Sequence, residues 1–278
     1  MSAIGVQWFP GHMAKTKRLI REQLRLCDAV FELLDARIPS SSRNPMIKEI
    51  LGTKPRIVVL NKIDLAEPGQ TRTWESVFID EGHPVLKVDS VRGTGIRAVT
   101  AVVQKAVPRT GTALLMRPLR VMVVGIPNVG KSSFVNRLVG QRSARAGKRP
   151  GLTRGKQWIR VGRNIELLDT PGVLWAKFED PEVGYRLAVT GAVREEVLDV
   201  EDVARWLLNW LLANSPTALK KRFDLRALPG ECADLLDLIG IKRGLLLPGG
   251  RADRTKTAAA LLKDFQEGRL GRFTLDET

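Results

Sequence analysis

Short runs of apolar and β-branched residues alternate with longer amphipathic segments over the first 170 residues of the chain. A short, continuously apolar run is typical of a strand that helices cover on both faces, as in a parallel sheet. The predicted strands are residues 29–34, 56–60, 85–88, 119–124, 158–161 and 165–168, and the last two form a hairpin. This alternation predicts an α/β fold with a doubly wound, mostly parallel sheet.

The pattern changes near residue 180, after which strand patterns are absent. Helical spacing of apolar residues predicts helices over 200–213, 231–238 and 251–265. We therefore divide the chain into an α/β domain at 1–178, with an N-terminal motif segment at 7–27, and a small all-α domain at 179–278. Trp206 and Trp210 lie one helical turn apart, and we expect them in the core of that domain rather than stacked on nucleic-acid bases.

A glycine-rich sequence follows the fourth predicted strand directly. Residues 125–132 are GIPNVGKS, which fits the phosphate-binding P-loop pattern G-x-x-x-x-G-K-[ST]. A predicted helix begins at Lys131 and Ser132, and its N-terminus together with loop N–H groups favours phosphate oxygens. We expect Lys131 on the β- and γ-phosphates and the Ser132 hydroxyl on Mg²⁺. The predicted nucleotide contacts in this motif are Asn128, Val129, Gly130, Lys131, Ser132 and Ser133.

The second predicted strand leads into Asn61-Lys62-Ile63-Asp64, which fits the guanine-recognition pattern N-K-x-D. A carboxylate at Asp64 accepts two hydrogen bonds from guanine, and adenine lacks that pair of donors. Asn61 is expected to tie the loop and contact the base, and the stem of Lys62 to cover the ring. Ser90 follows the third strand, where a backbone N–H can bond the guanine O6.

Two segments after the P-loop are candidates for contacts with Mg²⁺ and the γ-phosphate. The polar, basic loop at 140–155 contains a single threonine, Thr153, whose hydroxyl is expected on Mg²⁺ as in a switch loop. The sixth strand ends in D-x-x-G, which places Asp169 to hold Mg²⁺ through water and the Gly172 N–H on the γ-phosphate. The expected metal-binding residues are therefore Ser132, Thr153 and Asp169.

The guanine motifs precede the P-loop, whereas GTP-binding domains ordinarily begin with it. The same parts are circularly permuted, which preserves a site when the old termini are joined and a new break opens in an exposed loop. The segment 108–118 is the predicted join. D-x-x-G then leads straight into the helical domain, so loss of the γ-phosphate is expected to reorient that domain.

The net charge is +15 and the isoelectric point is about 10.3, because 45 Lys and Arg residues outnumber 30 Asp and Glu residues. This excess favours a polyanionic partner, most simply nucleic acid. In the helical domain an RNA-binding face and a solvated basic surface both remain open. The basic residues concerned are Lys220, Lys221, Arg222, Arg226, Lys242, Arg243, Arg251, Arg254 and Lys256.

Two distant cysteines, Cys27 and Cys232, argue against a disulfide framework or a zinc site. No apolar run reaches the length of a membrane span, and the N-terminus does not have the pattern of a signal peptide. We expect a cytoplasmic monomer that binds neither membrane nor DNA.

Three N-terminal sequences add to the permuted motif order: WFPGHM at 8–13, DARIP at 35–39 and SRNP at 42–45. With them, nearly the whole chain resembles the YlqF/RbgA family of circularly permuted GTPases, which assist assembly of the large ribosomal subunit. The resemblance implies a Ras-like P-loop GTPase domain, a C-terminal helical domain that contacts ribosomal RNA, GTP and GDP as ligands, and hydrolysis stimulated by the pre-50S particle.

Val173 stands where Ras-type enzymes carry the glutamine that orients the attacking water, so slow intrinsic hydrolysis is expected. The resemblance points to His12 as the catalytic residue instead. An imidazole after a Pro-Gly turn is mobile and bonds water near neutral pH; a structural or RNA-contacting His12 is the alternative. Asn128 resembles the asparagine that binds K⁺ in potassium-activated GTPases.

Three functions are consistent with the sequence. The first is a GTP-hydrolysing assembly factor for the large (50S) subunit. The second is a nucleotide-gated RNA-binding module whose hydrolysis is incidental. The third is a regulatory GTPase with a protein partner, against which the charge of +15 argues.

Overall fold

A computed structural model describes residues 10–107, 117–143, 158–162, 164–169, 180–193, 198–229 and 231–278 of the chain. They fall into two compact units, an α/β unit of Gln7–Lys177 with Thr274–Thr278, and a helical unit of Phe178–Phe273. Residues 274–278, which the sequence assigned to the helical domain, therefore belong to the α/β unit. The predicted join at 108–118 lies mostly outside the described residues.

The α/β unit is built on a six-stranded sheet in the order β3-β2-β1-β4-β6-β5. Every neighbouring pair is parallel except the β5–β6 hairpin, which confirms the predicted fold class. The strands are β1 (Ala29–Asp35), β2 (Arg56–Asn61), β3 (Val85–Val88), β4 (Leu119–Gly125), β5 (Trp158–Val161) and β6 (Ile165–Asp169). The direction of chain progression reverses between β1 and β4, where a doubly wound sheet opens a crevice at its carboxyl edge.

Helices cover both faces of this sheet. They are α1 (Pro10–Leu24), α2 (Pro45–Leu51), α3 (Pro68–Asp80), α4 (Val99–Ala106), which a 3₁₀ turn at Ile96–Ala98 precedes, and α5 (Lys131–Ser143). On one face, α1 and α2 pack on β1 and β4 through a buried cluster that includes Ile20, Ile47 and Met122. Phe134 of α5 meets Phe31 of β1 edge-on, with ring centroids 5.5 Å apart.

Local residues set the first turns of two helices. Helix α3 starts at Pro68, and Glu67 caps it by accepting a hydrogen bond from the Gly69 N–H (2.8 Å). Helix α1 starts at Pro10, so His12 lies in a helix and the predicted Pro-Gly turn is wrong. Proline suits the first helical position because its missing N–H would have had no helical acceptor there.

The helical unit contains α6 (Pro181–Val189), α7 (Val200–Asn214), α8 (Pro216–Phe223), α9 (Cys232–Lys242) and α10 (Arg254–Gln266). Helix α7 packs against α10 and supplies the buried residues Val203, Ala204, Leu207, Leu208 and Leu211. Helices α6 and α8 are short, each begins with a proline, and neither is predicted from the sequence. None of the helices in the described parts of the chain is long and apolar enough to cross a membrane.

Trp206 and Trp210 are half-buried in this unit and pack against other aromatic rings. Trp206 stacks on Tyr185 with a centroid separation of 5.7 Å, and its indole N–H donates to Glu182. Trp210 meets Phe273 edge-on at 5.8 Å. These contacts place both side chains in the internal packing of the unit.

Candidate functional site

Three strands end together where the predicted nucleotide site lies. Asp35 at the end of β1 is paired in register with Asn61 at the end of β2, and Leu33 of β1 is paired with Gly125 at the end of β4. The P-loop therefore begins beside the N-K-x-D loop, at the switch point of the sheet, which is where open α/β sheets bind ligands.

The side chain of Asn61 joins three of the predicted motifs. Its Nδ2 donates to the carbonyl oxygen of Val129 in the P-loop at 2.8 Å. Its Oδ1 accepts from both the backbone N–H (3.2 Å) and the hydroxyl (2.8 Å) of Ser90. Asn61 is only 2% exposed, so these bonds are made away from water. One amide thus sets the separation of the guanine and phosphate motifs.

The backbone of the P-loop requires its glycines. Gly130 has φ +98°, and a Cβ at this position would lie 2.3 Å from the Asn61 Nδ2. At Gly125 a Cβ would lie 2.6 Å from the carbonyl oxygen of Leu33. The Lys131 ammonium donates to the carbonyl oxygens of Gly125 (3.2 Å) and Ile126 (2.8 Å), so it lies against the loop.

The loop after β3 is shaped by its own aspartate and by a side chain from α5. Asp89 Oδ1 accepts from the backbone N–H groups of Val91 and Arg92, both at 2.9 Å. The guanidinium of Arg137 donates to the carbonyl oxygens of Ser90 (3.3 Å) and Val91. Since α5 begins in the P-loop, Arg137 ties the predicted guanine O6 contact to the phosphate-binding helix.

A buried ion network holds the lysine of N-K-x-D. The Lys62 ammonium lies 2.9 Å from Asp35 Oδ2, and the Asp35 side chain is 3% exposed. Arg37 donates to the same carboxylate through Nε (2.9 Å), Nη2 (2.7 Å) and its backbone N–H (3.1 Å). Lys62 has φ +62°, a conformation that a lysine adopts only where its surroundings hold it.

The adjacent charges prevail over burial at Asp35, whereas burial prevails at Lys62. Burial alone would raise the pKa of Asp35, but the adjacent charges of Arg37 and Lys62 hold it well below its usual range. Burial lowers the pKa of Lys62, an effect that the charge of Asp35 opposes. Asp35 is therefore ionised at neutral pH.

Residues 274–276 cover this network. The backbone N–H of Leu275 donates to the carbonyl oxygen of Arg37 at 2.7 Å. The carboxylate of Asp276 accepts from the backbone N–H (2.8 Å) and the hydroxyl (2.5 Å) of Ser41. Leu275 and Asp276 are 1% and 3% exposed. The loop that supports Lys62 is thus closed by residues more than 230 positions away in the sequence.

The remaining predicted residues are placed only in part. Asp64 lies in the turn after Lys62, and Ser132 and Ser133 are exposed in the first turn of α5. Asp169 ends β6 in register with Val123 of β4. Thr153 and Gly172 lie outside the described residues, and the side chains of Asp169 and His12 are not described either. In the described residues, no group of three or more His, Cys, Asp or Glu side chains is arranged to hold a metal.

Four residues of this site are not predicted from the sequence: Asp35, Arg37, Arg137 and Asp276. Asp35 carries a usable signal, since it ends the strand before the one that leads to N-K-x-D and a buried lysine needs a counter-charge. Arg137 and Asp276 carry no such signal, because their partners are distant in sequence.

Residues 120–225 match a family model described as a 50S ribosome-binding GTPase. The chain is 46% identical over 278 residues to ribosome biogenesis GTPase A of Priestia megaterium, an alignment that covers 98% of this chain and 96% of the relative. The chain belongs to the ribosome biogenesis GTPase A (YlqF/RbgA) family. It is accordingly a GTPase, as the motifs predicted.

Other similarities are more distant. The chain is 33% identical to mitochondrial ribosome-associated GTPase 1 of mouse, over 97% of this chain and 90% of the relative. Its fold matches the crystal structure of GNP-bound YlqF from T. maritima with a TM-score of 0.69 and 24% identity, over 95% of this chain and 98% of that one. A GDP-bound structure of the same protein matches with a TM-score of 0.68 and 24% identity, over 94% of this chain and 99% of that one.

Gly130→Ala is expected to weaken GDP binding by roughly tenfold or more. The new Cβ would push the Asn61 amide away from Val129, and the positive φ adds backbone strain of about 1–3 kcal/mol. The measurement is titration of a fluorescent GDP analogue. Gly140→Ala is the matched control, because among the described residues no atom outside its own stretch of helix lies within 4 Å of its added Cβ. It should leave GDP affinity unchanged and stabilise α5 by about 1 kcal/mol. Equal affinities of the two variants would contradict the geometry.

Asp35→Asn is expected to weaken GDP binding by about tenfold, since Lys62 and Arg37 lose the charge that holds them. Both the melting temperature and the GDP dissociation constant should be measured, because a buried charge is also removed.

Glu32→Gln separates the two effects. Glu32 lies on the same strand, is equally buried and pairs with Arg56 at 3.0 Å, away from the carboxyl edge of the sheet. Both variants should melt at lower temperature, but only Asp35→Asn should lose GDP affinity. Equal losses of affinity would mean that Asp35 acts through stability alone.

Proposed function

We propose that this GTPase is an assembly factor for the large ribosomal subunit. It binds ribosomal RNA in pre-50S particles and couples GTP hydrolysis to their maturation or to its own release. The observation that carries the proposal is the Asn61 side chain, which bonds both the P-loop and the loop after β3 in a chain whose relatives are named for ribosome biogenesis. The protein is proposed to act as a monomer in the cytoplasm, without binding to DNA or membrane.

The proposed ligands are GTP and GDP. Asp64 is assigned to the guanine N1–H and 2-amino group, the Ser90 N–H to the guanine O6, and Lys131 to the phosphates. Ser132 is suited to Mg²⁺, because its hydroxyl is exposed in the first turn of α5, next to Lys131. Thr153 and Asp169 are the other proposed contacts, and the ion would neutralise phosphate charge during transfer.

His12 is proposed to place the attacking water, because Val173 has no hydrogen-bonding side chain. Its backbone lies in the first turn of α1. A helical position has less freedom than the predicted turn, so the imidazole is expected to reach the site through an arrangement that the ribosomal particle stabilises. Asn128 is proposed as a K⁺ ligand, and its φ of +55° turns the P-loop backbone at that residue.

The protein should cosediment with large-subunit precursors when bound to a GTP analogue and dissociate from them with GDP. Particles should raise its hydrolysis rate, and the rate should be higher in K⁺ than in Na⁺. Binding without stimulation would favour a nucleotide-gated RNA-binding module in which hydrolysis is incidental. Absence of particle binding in both nucleotide states would overturn the proposal, and equal rates in K⁺ and Na⁺ would remove Asn128 as an ion ligand.

His12→Ala should abolish the particle-stimulated rate while GTP affinity is retained, since the imidazole is assigned to the water and not to the nucleotide. His83 is the only other histidine in the chain, and it lies in the turn before β3. His83→Ala is therefore the matched control and should retain stimulation. A stimulated rate that survives in His12→Ala would remove His12 from the catalytic residues.

A further inference from the structure

Three arginines from different parts of the helical unit converge on one carboxylate. Asp264 lies in the last turn of α10, and its side chain is 1% exposed. Its Oδ2 accepts from Arg222 Nε at 2.9 Å and from Arg243 Nη1 at 2.8 Å. Its Oδ1 accepts from Arg269 Nη1 at 3.0 Å. We call Arg222, Arg243 and Arg269 the arginine cluster.

The arginine cluster lies where three helices end. Arg222 is in the last turn of α8, Arg243 caps the C-terminus of α9, and Arg269 follows α10. Each helix C-terminus carries roughly half a negative charge, which helps to hold the cations there. The same last turns also carry the exposed residues Lys220, Lys221, Lys242 and Lys263.

The charges of the cluster are not balanced within the protein. Three guanidinium groups share Asp264, and Arg269 also pairs with Glu267. Burial opposes ionisation of Asp264, but hydrogen bonds from Arg222 and Arg269 prevail and lower its pKa, so it stays negative. Three positive charges against two negative ones leave one in excess, before the four nearby lysines are counted, of which Lys242 pairs with Asp224 at 3.8 Å.

A purely structural tie between these helices would need fewer arginines. Two guanidinium groups already satisfy one carboxylate, and a third adds little stability because it repels the other two. Buried ion networks are in any case weak evidence for stability. The side chains of the cluster remain 30–47% exposed, so parts of them face solvent. Each guanidinium has five N–H donors, and Arg243 gives one of them to Asp264.

We propose that Arg222, Arg243 and Arg269 form a preorganised binding site for RNA backbone phosphates, with Asp264 as the positioning residue. Asp264 holds the guanidinium groups in place, so less side-chain entropy is lost when a phosphate binds. The choice of RNA as the partner rests on the proposed function. The proposal adds that the RNA contacts lie where α8, α9 and α10 end. The basic residues found in the sequence are spread over a wider part of that unit.

The test is a salt titration of binding to protein-free, transcribed large-subunit ribosomal RNA. The double variant Arg222→Gln/Arg243→Gln should bind about tenfold more weakly near physiological salt. The slope of log Kd against log salt concentration should fall by about one for each phosphate that the variant no longer neutralises. Arg269 still pairs with Asp264 in this variant, so the fold should persist. Circular dichroism and thermal melting check that the variant is folded.

Arg205→Gln is the matched control. Arg205 is exposed, pairs with Asp202 at 3.6 Å and lies in α7. The start of α7 contacts the start of α10 through Glu201 and Thr255 (2.6 Å), at the opposite end of α10 from Asp264. This variant removes one charge of the same kind elsewhere in the unit, whereas the double variant removes two. The change in slope is therefore compared per charge removed, and it should be close to zero for Arg205→Gln if the site is local.

A second double variant controls for misfolding of the first. Arg222→Lys/Arg243→Lys keeps the charge but loses the planar fork, and it should bind RNA with an affinity between those of the wild type and the glutamine variant. Equal slopes for the cluster and control variants would overturn this inference and leave the proposed function intact. A wild-type protein that binds no protein-free ribosomal RNA would also overturn this inference, whereas the proposed function is decided by cosedimentation with particles. Wild-type affinity of the glutamine variant for naked RNA, with reduced binding to particles, would assign the cluster to a protein partner instead.

Discussion

The amide of Asn61 is the constraint on which the nucleotide site depends. It bonds the P-loop through Val129 and the loop after β3 through Ser90, and it is almost completely buried. A parallel sheet makes this possible because the carboxyl ends of β1, β2 and β4 lie side by side whatever the order in which the chain visits them. The circular permutation therefore changes connectivity while the site is preserved.

A buried ion network supports the loops that Asn61 joins. Asp35 holds Lys62 and Arg37 in a buried network, and residues 274–276 close over the loop that contains it. The chain thus passes from the α/β unit to the helical unit and back again. On its return to the α/β unit, the chain contacts the loop that supports Lys62.

Charge is organised differently in the two units. In the α/β unit, Asp35 is enclosed with its cations, and the ion pairs set the position of a lysine. In the helical unit, three partly exposed arginines pair with Asp264, and their positive charge exceeds the negative charge of their partners. The first arrangement fits an internal support, and the second fits an external polyanion.

The sequence by itself determined the strands, the P-loop, N-K-x-D and the permuted order, because these depend on apolar runs and on neighbouring residues. It missed α6 and α8, whose apolar faces are too short to give a clear period, and it placed His12 in a turn that is helical. Only the tertiary structure decided that Arg137 supports the Ser90 loop, that Asp35 pairs with Lys62, and that Asp276 binds Ser41. These contacts join residues up to 235 positions apart. A hydrogen bond or ion pair between such residues depends on how the chain brings them together, and local sequence carries no record of that.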